Sequence, residues 1–496
     1  MTLLRHLWAD ATEPRPLRPH QDLALQELRR ALVEGCSRVV LQLPTGAGKT
    51  RIAAEIIKGA QAKGNRLCFT VPSISLIDQT VAAFEGEGIF DLGVIQANHP
   101  RTHYGMPVQV ASVQTLSRRT LPKTDIVVVD ECHMRFKVVT DWMTASPDVL
   151  FIGLSATPWA KGMANHWQKL ITPVRMHELI NAGILSPFRV FAPSHPDLAG
   201  VRIVAGDYDE GQLAAVMGDN QLVADVVETW LRQSERRPTL VFAVNRAHAR
   251  QLQRQLFRAD VAMGYCDANT DRVERQLLFA EMACGNLAGI VNVGTLTTGV
   301  DADIRCIVMA RPTKSEMLFV QSIGRGLRPA EGKADCLILD HADNHSRLGF
   351  VTDIHYANLQ GKKDKPLRTR KERGEPMPKE CLACGVLKPP NAAVCPACGF
   401  KAERQSEVRV AEGELVERRP GKGKATFEDK QAFWSMALFV DGQRGKNGKM
   451  AKALYRGKFK EWPRDLAWEP KEPTPEFLSY EYSRRIAYHK RRENAA

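Results

Sequence analysis

Two hydrophobic patterns alternate along the first two thirds of this chain. Short, nearly continuous apolar runs rich in β-branched residues occur at 38–43, 66–71, 125–130, 149–155, 239–244, 289–294 and 306–310. Longer amphipathic segments follow several of them, for example NRAHARQLQRQLF at 245–257. The first pattern is typical of strands buried on both faces of a parallel sheet, and the second of helices that pack on such a sheet. The alternation predicts an α/β architecture.

The alternation forms two blocks, which predict two parallel-sheet domains at 1–185 and 186–360. The sheet pattern of the second block starts only near residue 239, and the polar stretch before it is harder to assign. Residues 361–380 are charged and contain Pro and Gly, as a linker does. Four clustered cysteines define a module at 381–400, and residues 401–496 form a basic, aromatic-rich domain.

Composition narrows the class of protein. The 496 residues are 44% hydrophobic, which is enough for more than one buried core. No run of about 18 apolar residues occurs, so we expect no membrane span. The first sixteen residues lack the apolar stretch and the small-residue cleavage site of a signal peptide, and we expect a cytoplasmic protein.

The positive charge lies almost entirely in the last quarter of the chain. The net charge is +13, and residues 361–496 carry 31 Lys and Arg against 19 Asp and Glu, a net of +12. Such a concentration favours binding to a phosphate backbone. A solvated tail is the structural alternative.

A glycine-rich turn between an apolar run and a helical pattern predicts a phosphate site. The segment PTGAGKT leaves backbone N–H groups free to wrap phosphate oxygens at the positive end of a helix. Lys49 would reach the β- and γ-phosphates, and the Thr50 hydroxyl would bind Mg²⁺. The match is GxGKT, because Leu43 stands where the full pattern has glycine. The loop residues are Thr45, Gly46, Ala47, Gly48, Lys49 and Thr50.

A second apolar run ends at adjacent carboxylates about eighty residues later. In VVVDECH, Asp130 can hold Mg²⁺ through water, and Glu131 can orient and deprotonate an attacking water. A solvated acidic strand end is the alternative, and the preceding phosphate loop argues against it.

Asp130-Glu131-Cys132-His133 resembles the DExH box of superfamily 2 helicases, and the other motifs of that family follow in order over about 330 residues. The resemblance implies two tandem RecA-like parallel-sheet domains, ATP and Mg²⁺. It implies adenine recognition by Gln21, with Arg18 assisting, and coupling by Ser155, Ala156 and Thr157. In the second block, QSIGRGLR resembles motif VI and implies that Gln321 contacts the γ-phosphate or the water, and that Arg325 and Arg328 neutralise transition-state charge. Gly299 and Asp301 belong to the segment that resembles motif V, where Asp301 would contact the ribose.

The resemblance also implies contacts to the backbone of one nucleic-acid strand. Hydroxyls, amides and backbone N–H groups position phosphates without reading sequence. For any single residue, a turn or capping role is the alternative. The candidates are Pro72, Ser73, Ser112, Gln114, Thr115, Asn245, Arg246, Thr295, Thr297 and Thr298.

Four cysteines in the spacing CxxC–x10–CxxC predict a closed tetrahedral metal site. Two CxxCG turns, at 381–385 and 395–399, supply these cysteines, and the glycine of each allows the chain to turn sharply. The four are Cys381, Cys384, Cys395 and Cys398. Four thiolates favour structural Zn²⁺, and Fe is the alternative. Two disulfides do not suit a cytosolic protein. We expect a small zinc-ribbon-like module that needs metal to fold.

Aromatic and basic residues interleave beyond the cysteines, at 433–440, 451–468 and 479–492. The pattern suits base stacking with phosphate attraction, and it suits a small α-rich core with a basic face equally well. The knuckles and the segment 455–463 together resemble bacterial RadD proteins and phage-encoded helicases.

These features lead to the hypothesis of an ATP-dependent DNA helicase or translocase for repair, recombination or replication. Single-stranded or branched DNA is the expected partner, with single-stranded-DNA-binding or recombination proteins as further candidates and no membrane. The alternatives are an RNA helicase, a restriction-system motor subunit, and an ATP-switched adaptor that recruits a partner protein.

Overall fold

The computed structural model describes residues 16–96, 99–192, 195–204, 206–296, 302–364, 375–401 and 425–493. The chain divides into two units, Met1–Arg404 and Gln405–Ala496. Within these described residues, the first unit holds two parallel sheets and the cysteine module, and the second holds three helices. No described helix combines the length and the apolar composition of a membrane-spanning segment.

Seven strands form the first sheet: β1 (Arg38–Gln42), β2 (Leu67–Val71), β3 (Leu92–Ile95), β4 (Val108–Ser112), β5 (Ile126–Asp130), β6 (Leu150–Ser155) and β7 (Lys169–Ile171). They pair in parallel in the spatial order β3-β4-β2-β5-β6-β1-β7. The helices of this lobe are α1 (Pro19–Val33), α2 (Lys49–Gln61), α3 (Ile77–Gly86), α4 (Val113–Leu116), α5 (Lys137–Ala145) and α6 (Met176–Asn181).

Helices cover both faces of this sheet, which explains its continuous apolar runs. Val39 and Leu41 of β1 face a core that includes residues of α1 and α2. Val40, between them, belongs to a separate core that includes Trp142 of α5. A strand buried in this way has no solvent-facing position, so its sequence does not alternate.

The second sheet has six parallel strands: β8 (Phe188–Phe191), β11 (Thr239–Phe242), β12 (Met263–Cys266), β13 (Gly289–Asn292), β14 (Cys306–Met309) and β15 (Cys336–Asp340). Their spatial order is β12-β13-β11-β14-β15-β8. A short antiparallel pair, β9 (Ile203–Val204) and β10 (Asp207–Tyr208), lies between β8 and the remaining strands in the chain. The helices are α7 (Glu210–Met217), α8 (Asn220–Gln233), α9 (Arg246–Arg258), α10 (Arg272–Ala283), α11 (Glu316–Gly324) and α12 (Asn344–Leu348).

The second sheet begins earlier in the chain than the hydrophobic pattern indicates. The expectation of a sheet starting near residue 239 is wrong, because β8 joins the edge of the sheet by pairing in parallel with β15. Only Val190 of its four residues is buried, as suits an edge strand, so β8 carries no continuous apolar run. The polar stretch that the pattern leaves unassigned therefore supplies, among its described residues, the edge strand β8, the short pair β9 and β10, and the helices α7 and α8.

The predicted cysteine module is a small two-stranded element beside the second sheet. Its strands are β16 (Lys379–Glu380) and β17 (Leu387–Lys388), which pair antiparallel. Val386 forms an antiparallel bridge with Phe191 of β8. The module therefore lies against the edge strand of the second sheet, where an uncovered row of backbone groups would otherwise be open to pairing.

The second unit is a bundle of α13 (Phe427–Gln443), α14 (Lys449–Phe459) and α15 (Pro475–Glu493), so the predicted α-rich character is confirmed. Phe433 lies at its centre and meets the ring of Phe477 with centroids 4.9 Å apart. Trp434 and Tyr455 pack edge to face beside it, 5.9 Å apart. Much of the aromatic pattern is thus explained by a core, although several rings remain exposed. The charged stretch 402–424 lies outside the described residues.

Asp441, near the end of α13, holds the start of α14 in place. Its carboxylate accepts hydrogen bonds from the backbone N–H groups of Gly448 (2.6 Å) and Ala451 (2.9 Å), and the residue is 2% exposed. A carboxylate at a helix N-terminus satisfies N–H groups that have no partner within the helix.

We predict that Asp441→Ala lowers the free energy of unfolding of the C-terminal unit by about 1–3 kcal/mol, because two buried N–H groups lose a charged acceptor. Hydrogen exchange of the amides of α13 and α14 in the full chain measures this. Glu469→Ala, at an exposed carboxylate, is the control and should leave the exchange rates unchanged. Equal protection in both variants would contradict the capping role.

Candidate functional site

The glycine-rich turn joins β1 to α2 in a conformation that needs glycine. Gly46 and Gly48 have φ values of 87° and 88°, in the left-handed region that side chains disfavour. A Cβ at Gly48 would collide with the side-chain nitrogen of Gln21. Because α2 begins at Lys49, the predicted loop residues surround the positive end of a helix, where an anion is stabilised.

Helix α1 places two side chains against this loop. Gln21 donates from Nε2 to the carbonyl oxygen of Ala47 (3.2 Å), and His20 Nε2 lies 2.9 Å from the same oxygen. The backbone N–H of Arg18 donates to Gln21 Oε1 (3.0 Å). The predicted adenine contact, Gln21, therefore also braces the phosphate loop. His20 was not predicted, although its position beside Gln21 was a signal.

The two adjacent carboxylates lie at the carboxyl end of β5. Lys49 Nζ is 3.4 Å from Glu131 Oε1. Burial would raise the pKa of Glu131, but the charge of Lys49 and the contact with His133 outweigh it and hold the pKa below its usual range. Burial and the neighbouring charge of Glu131 raise the pKa of Asp130. Glu131 is therefore the more acidic of the two carboxylates, and Asp130 is the one whose charge a cation would stabilise most.

A chain of polar contacts then runs from Glu131 into the second lobe, and its links beyond His133 are hydrogen bonds. His133 Nδ1 is 3.3 Å from Glu131 Oε2 and 2.9 Å from Ser155 Oγ. From the second lobe, Gln321 Nε2 lies 3.2 Å from His133 Nε2 and donates to Thr157 Oγ1 (3.1 Å). With the Gln321 amide as donor, His133 Nε2 accepts, and a proton on Nδ1 would then face Ser155 and Glu131.

These polar contacts join Glu131, His133 and Gln321 in an arrangement that the sequence does not predict. The resemblance implied that Gln321 contacts phosphate or water, and the structure places it on His133 and Thr157. The Thr157 N–H also donates to Ser155 Oγ (3.0 Å), which ties both ends of the Ser155–Thr157 turn to the chain. Its middle residue, Ala156, is buried. The resemblance to the DExH box includes His133 but implies no separate role for it.

The end of α11 also approaches the phosphate loop. A Cβ at Gly324 would lie 3.0 Å from Thr45 Cβ, and a Cβ at Gly46 would lie 3.6 Å from Arg328 Cγ. Arg325 is 5% exposed, and its charge helps to lower the pKa of Glu131. The second lobe therefore brings Arg328 to the phosphate loop and the charge of Arg325 close to Glu131.

A second link between the lobes lies away from the phosphate loop. Arg272, at the start of α10, forms an ion pair with Asp78 of α3. His99 Nε2 is 2.8 Å from the other oxygen of that carboxylate. The hydrogen bonds from His99 and Arg272 lower the pKa of Asp78. The two lobes therefore also contact each other away from the phosphate loop.

The candidate backbone contacts lie where strands of the two sheets end, and most of them have local roles. Ser112 Oγ accepts the N–H of Thr115 (3.1 Å) and caps α4, and Asn245 caps α9 through His248. Arg246 pairs with Asp267 at 2.8 Å. Ser73 and Thr295 are half-buried, Pro72 is buried and Gln114 is exposed. Residues 297–301, which include Thr297, Thr298, Gly299 and Asp301, lie outside the described residues.

The four clustered cysteines meet at one point. All four Sγ atoms lie within 4.8 Å of one another, with Cys381 and Cys398 3.7 Å apart and Cys384 and Cys395 3.8 Å apart. A tetrahedral site with Zn–S bonds of about 2.3 Å separates its sulfurs by about 3.8 Å, so the donor set fits zinc. Gly385 and Gly399 adopt φ values of 72° and 73° and make the two knuckles.

Comparison with known families agrees with this geometry. Residues 15–160 match the family model "Type III restriction enzyme, res subunit", and residues 221–330 match the "Helicase conserved C-terminal domain". The first match contains the phosphate loop and both carboxylates. The second contains Gln321, Arg325 and Arg328. The two halves of the site therefore belong to two recognised domains in tandem.

Individual relatives share about a quarter of their aligned residues with this chain. A 51.5 kDa protein of a Lactococcus phage (isolate 7-9) is 25% identical over 405 residues, which cover 79% of this chain and 85% of that protein. The type I restriction enzyme EcoKI endonuclease subunit of Escherichia coli K12 is 26% identical over 417 residues, covering 68% of this chain and 35% of the subunit. The ATP-dependent DNA helicase uvsW of Enterobacteria phage T4 is 22% identical over 333 residues, covering 62% of this chain and 65% of the helicase. With both domain models matched in order, the chain carries the tandem motor domains of superfamily 2 DExH helicases, which hydrolyse ATP to act on nucleic acid.

Proposed function

We propose that this protein is an ATP-dependent DNA helicase or translocase that acts in DNA repair, recombination or replication. One observation carries the proposal: the chain from Glu131 through His133 to Gln321 connects the ATP-hydrolysing carboxylate to the second lobe. A lobe that must close to complete the site also moves when the site empties. Such movement is what transports a bound strand.

The residues of the site divide the hydrolysis between them. Asp130 and the Thr50 hydroxyl would hold Mg²⁺, which supplies positive charge to the phosphates when it is bound. The fit rests on Asp130, a buried carboxylate beside a second carboxylate, whose charge a cation stabilises. Lys49 holds the phosphates, Glu131 orients and deprotonates the attacking water, and Arg325 and Arg328 stabilise the transition state.

We expect Glu131→Gln to bind ATP with near-normal affinity and to lower the turnover number by about 100-fold or more, because an amide cannot accept the proton of the attacking water. Steady-state phosphate release and binding of a fluorescent ATP analogue measure the two effects. Glu27→Gln, at a half-buried position of α1 outside the site, is the matched control. Turnover near the wild-type rate would refute the role of Glu131.

Gln321→Ala should keep ATP binding and lower the stimulation of ATPase activity by DNA, since it breaks the chain between the lobes. The measurement is the ratio of turnover with and without single-stranded DNA, and we expect it to fall several-fold. Gln26→Ala, at an exposed glutamine of α1, serves as the control. An unchanged ratio would show that His133 and Gln321 do not couple the two events.

DNA is proposed as the substrate because a relative over much of this chain is named a DNA helicase. The EcoKI relative supports a restriction-system motor as the second candidate. A panel of matched single-stranded, forked and duplex DNA and single-stranded RNA, tested for ATPase stimulation and unwinding, separates these functions. Preference for RNA would indicate an RNA helicase, and turnover that ignores every nucleic acid would contradict the motor function.

We propose that the four cysteines hold one structural Zn²⁺, because four protein ligands leave no open position for catalysis. Cys384→Ser should release the metal and unfold the knuckles, which lie beside β8. Metal content by mass spectrometry and hydrogen exchange of residues 375–401 measure this. Cys284→Ser, at an exposed cysteine outside the cluster, should retain one Zn²⁺ per chain. Full metal retention in Cys384→Ser would contradict the site.

The proposed setting is the cytosol, where the unpaired cysteines of the described residues would stay reduced. Single-stranded-DNA-binding or recombination proteins are the proposed partners. An adaptor with ATP as a switch is distinguished by deleting the C-terminal unit: loss of partner binding with retained DNA-stimulated ATPase would support a combined role.

A further inference from the structure

The C-terminal unit exposes aromatic rings that its core does not need. Phe433, Trp434 and Tyr455 are each less than 9% exposed and already fill the centre of the bundle. Trp462 and Phe427, in contrast, are 51% and 62% exposed. Leaving large apolar rings in water forgoes the free energy of their burial, so clustered exposed rings mark a binding surface.

These two exposed rings line one cleft. The cleft, of about 510 Å³, is formed by the start of α13 and the loop that follows α14, and Phe427, Tyr455 and Trp462 line it together with Lys430 and Arg464. A cleft of this size accommodates a planar ring system of the size of a nucleobase. The aromatic walls and the cations at its edge match the two parts of a nucleotide.

Neighbouring side chains orient Trp462. The guanidinium carbon of Arg456 lies 4.5 Å from the centroid of the Trp462 ring, which is a cation–π contact. Two carboxylates also line the cleft: Glu461 is paired with Lys430 at 2.7 Å, and Asp465 follows Arg464 in the chain, so the excess positive charge lies around the cleft and not in its lining. The indole is therefore held in place, while half of its surface remains accessible.

The charge around the cleft indicates which class of ligand binds there. Residues 444–464 contain eight Lys and Arg and a single acidic residue, Glu461, and all eight basic residues are exposed. A polyanion with planar groups satisfies both the charge and the rings, and single-stranded nucleic acid combines the two. In duplex DNA the bases are paired and stacked, so their faces are not available to a protein ring.

We propose that the cleft between Phe427 and Trp462 binds a base of single-stranded nucleic acid by stacking, with the exposed cations of 444–464 holding the flanking phosphates. This second nucleic-acid site lies in the unit at Gln405–Ala496, and we expect it to bind without ATP hydrolysis. It differs in kind from the contacts proposed for the motor lobes, which address the backbone only. Stacking accepts every base, so the site has no sequence preference.

The test is fluorescence anisotropy of a labelled dT oligonucleotide with the full-length protein and no nucleotide. Trp462→Ala should weaken binding about 5- to 100-fold, since stacking on one aromatic ring contributes on that scale. Trp462→Phe should restore most of the affinity, because a phenyl ring preserves the stacking face. Tyr482→Ala is the matched control: Tyr482 is 56% exposed with Arg485 over its ring (5.1 Å) but does not line the cleft, so its affinity should equal that of the wild type.

An oligonucleotide with abasic sites separates stacking from charge. Wild-type protein should lose affinity on the abasic strand, whereas Trp462→Ala should lose little more. Equal affinities of wild type and Trp462→Ala for dT, or an equal loss on both strands, would overturn the proposal. A labelled acidic peptide whose binding is lost in Trp462→Ala, with dT binding unchanged, would assign the cleft to a protein partner instead. The restored affinity of Trp462→Phe excludes misfolding as the cause, and omission of ATP separates failure here from failure of the proposed motor.

Discussion

The closed contact between the two lobes is the constraint on which the ATP site depends. The carboxylates and the phosphate loop lie in the first lobe. The second lobe carries Gln321, Arg325 and Arg328, on and after α11. Neither half is competent alone, because transition-state charge needs donors on both sides of the phosphoryl group. Gly324 allows the approach, since a Cβ there would lie 3.0 Å from Thr45 Cβ of the opposite lobe.

The position of His133 gives this contact its chemical consequence. It lies between Glu131, the proposed general base, and Gln321 of the second lobe. A shift of one lobe would therefore alter the surroundings of the proposed catalytic carboxylate through two polar contacts, one from His133 to Glu131 and one from Gln321 to His133. Ser155 and Thr157 also belong to this set of contacts, so the same displacement would change the hydrogen bonds of the turn after β6. Such a shared network is a physical route for coupling hydrolysis to movement.

The accessory parts differ from the motor in how they are stabilised and charged. The cysteine module is too small to bury a core and relies on its four thiolates, yet it is fixed to β8 by backbone pairing. The C-terminal unit has an aromatic core of its own and a strongly basic segment at 444–464. Residues 1–360 are almost neutral by comparison, with a net charge of +1, so electrostatic attraction of a polyanion falls mainly to the accessory part.

The sequence alone determined the features that depend on local spacing. Buried parallel strands, the glycines of the phosphate loop and the four-thiolate cluster each follow from residues a few positions apart. Only the tertiary structure decided the features that depend on distant residues. The edge strand β8 is recognisable only once β15 lies beside it, and Gln321 meets His133 across 188 positions. Likewise, nothing local separates Trp434, which fills a core, from Trp462, which does not: burial is a property of the packed bundle, because it depends on which surfaces the other helices cover.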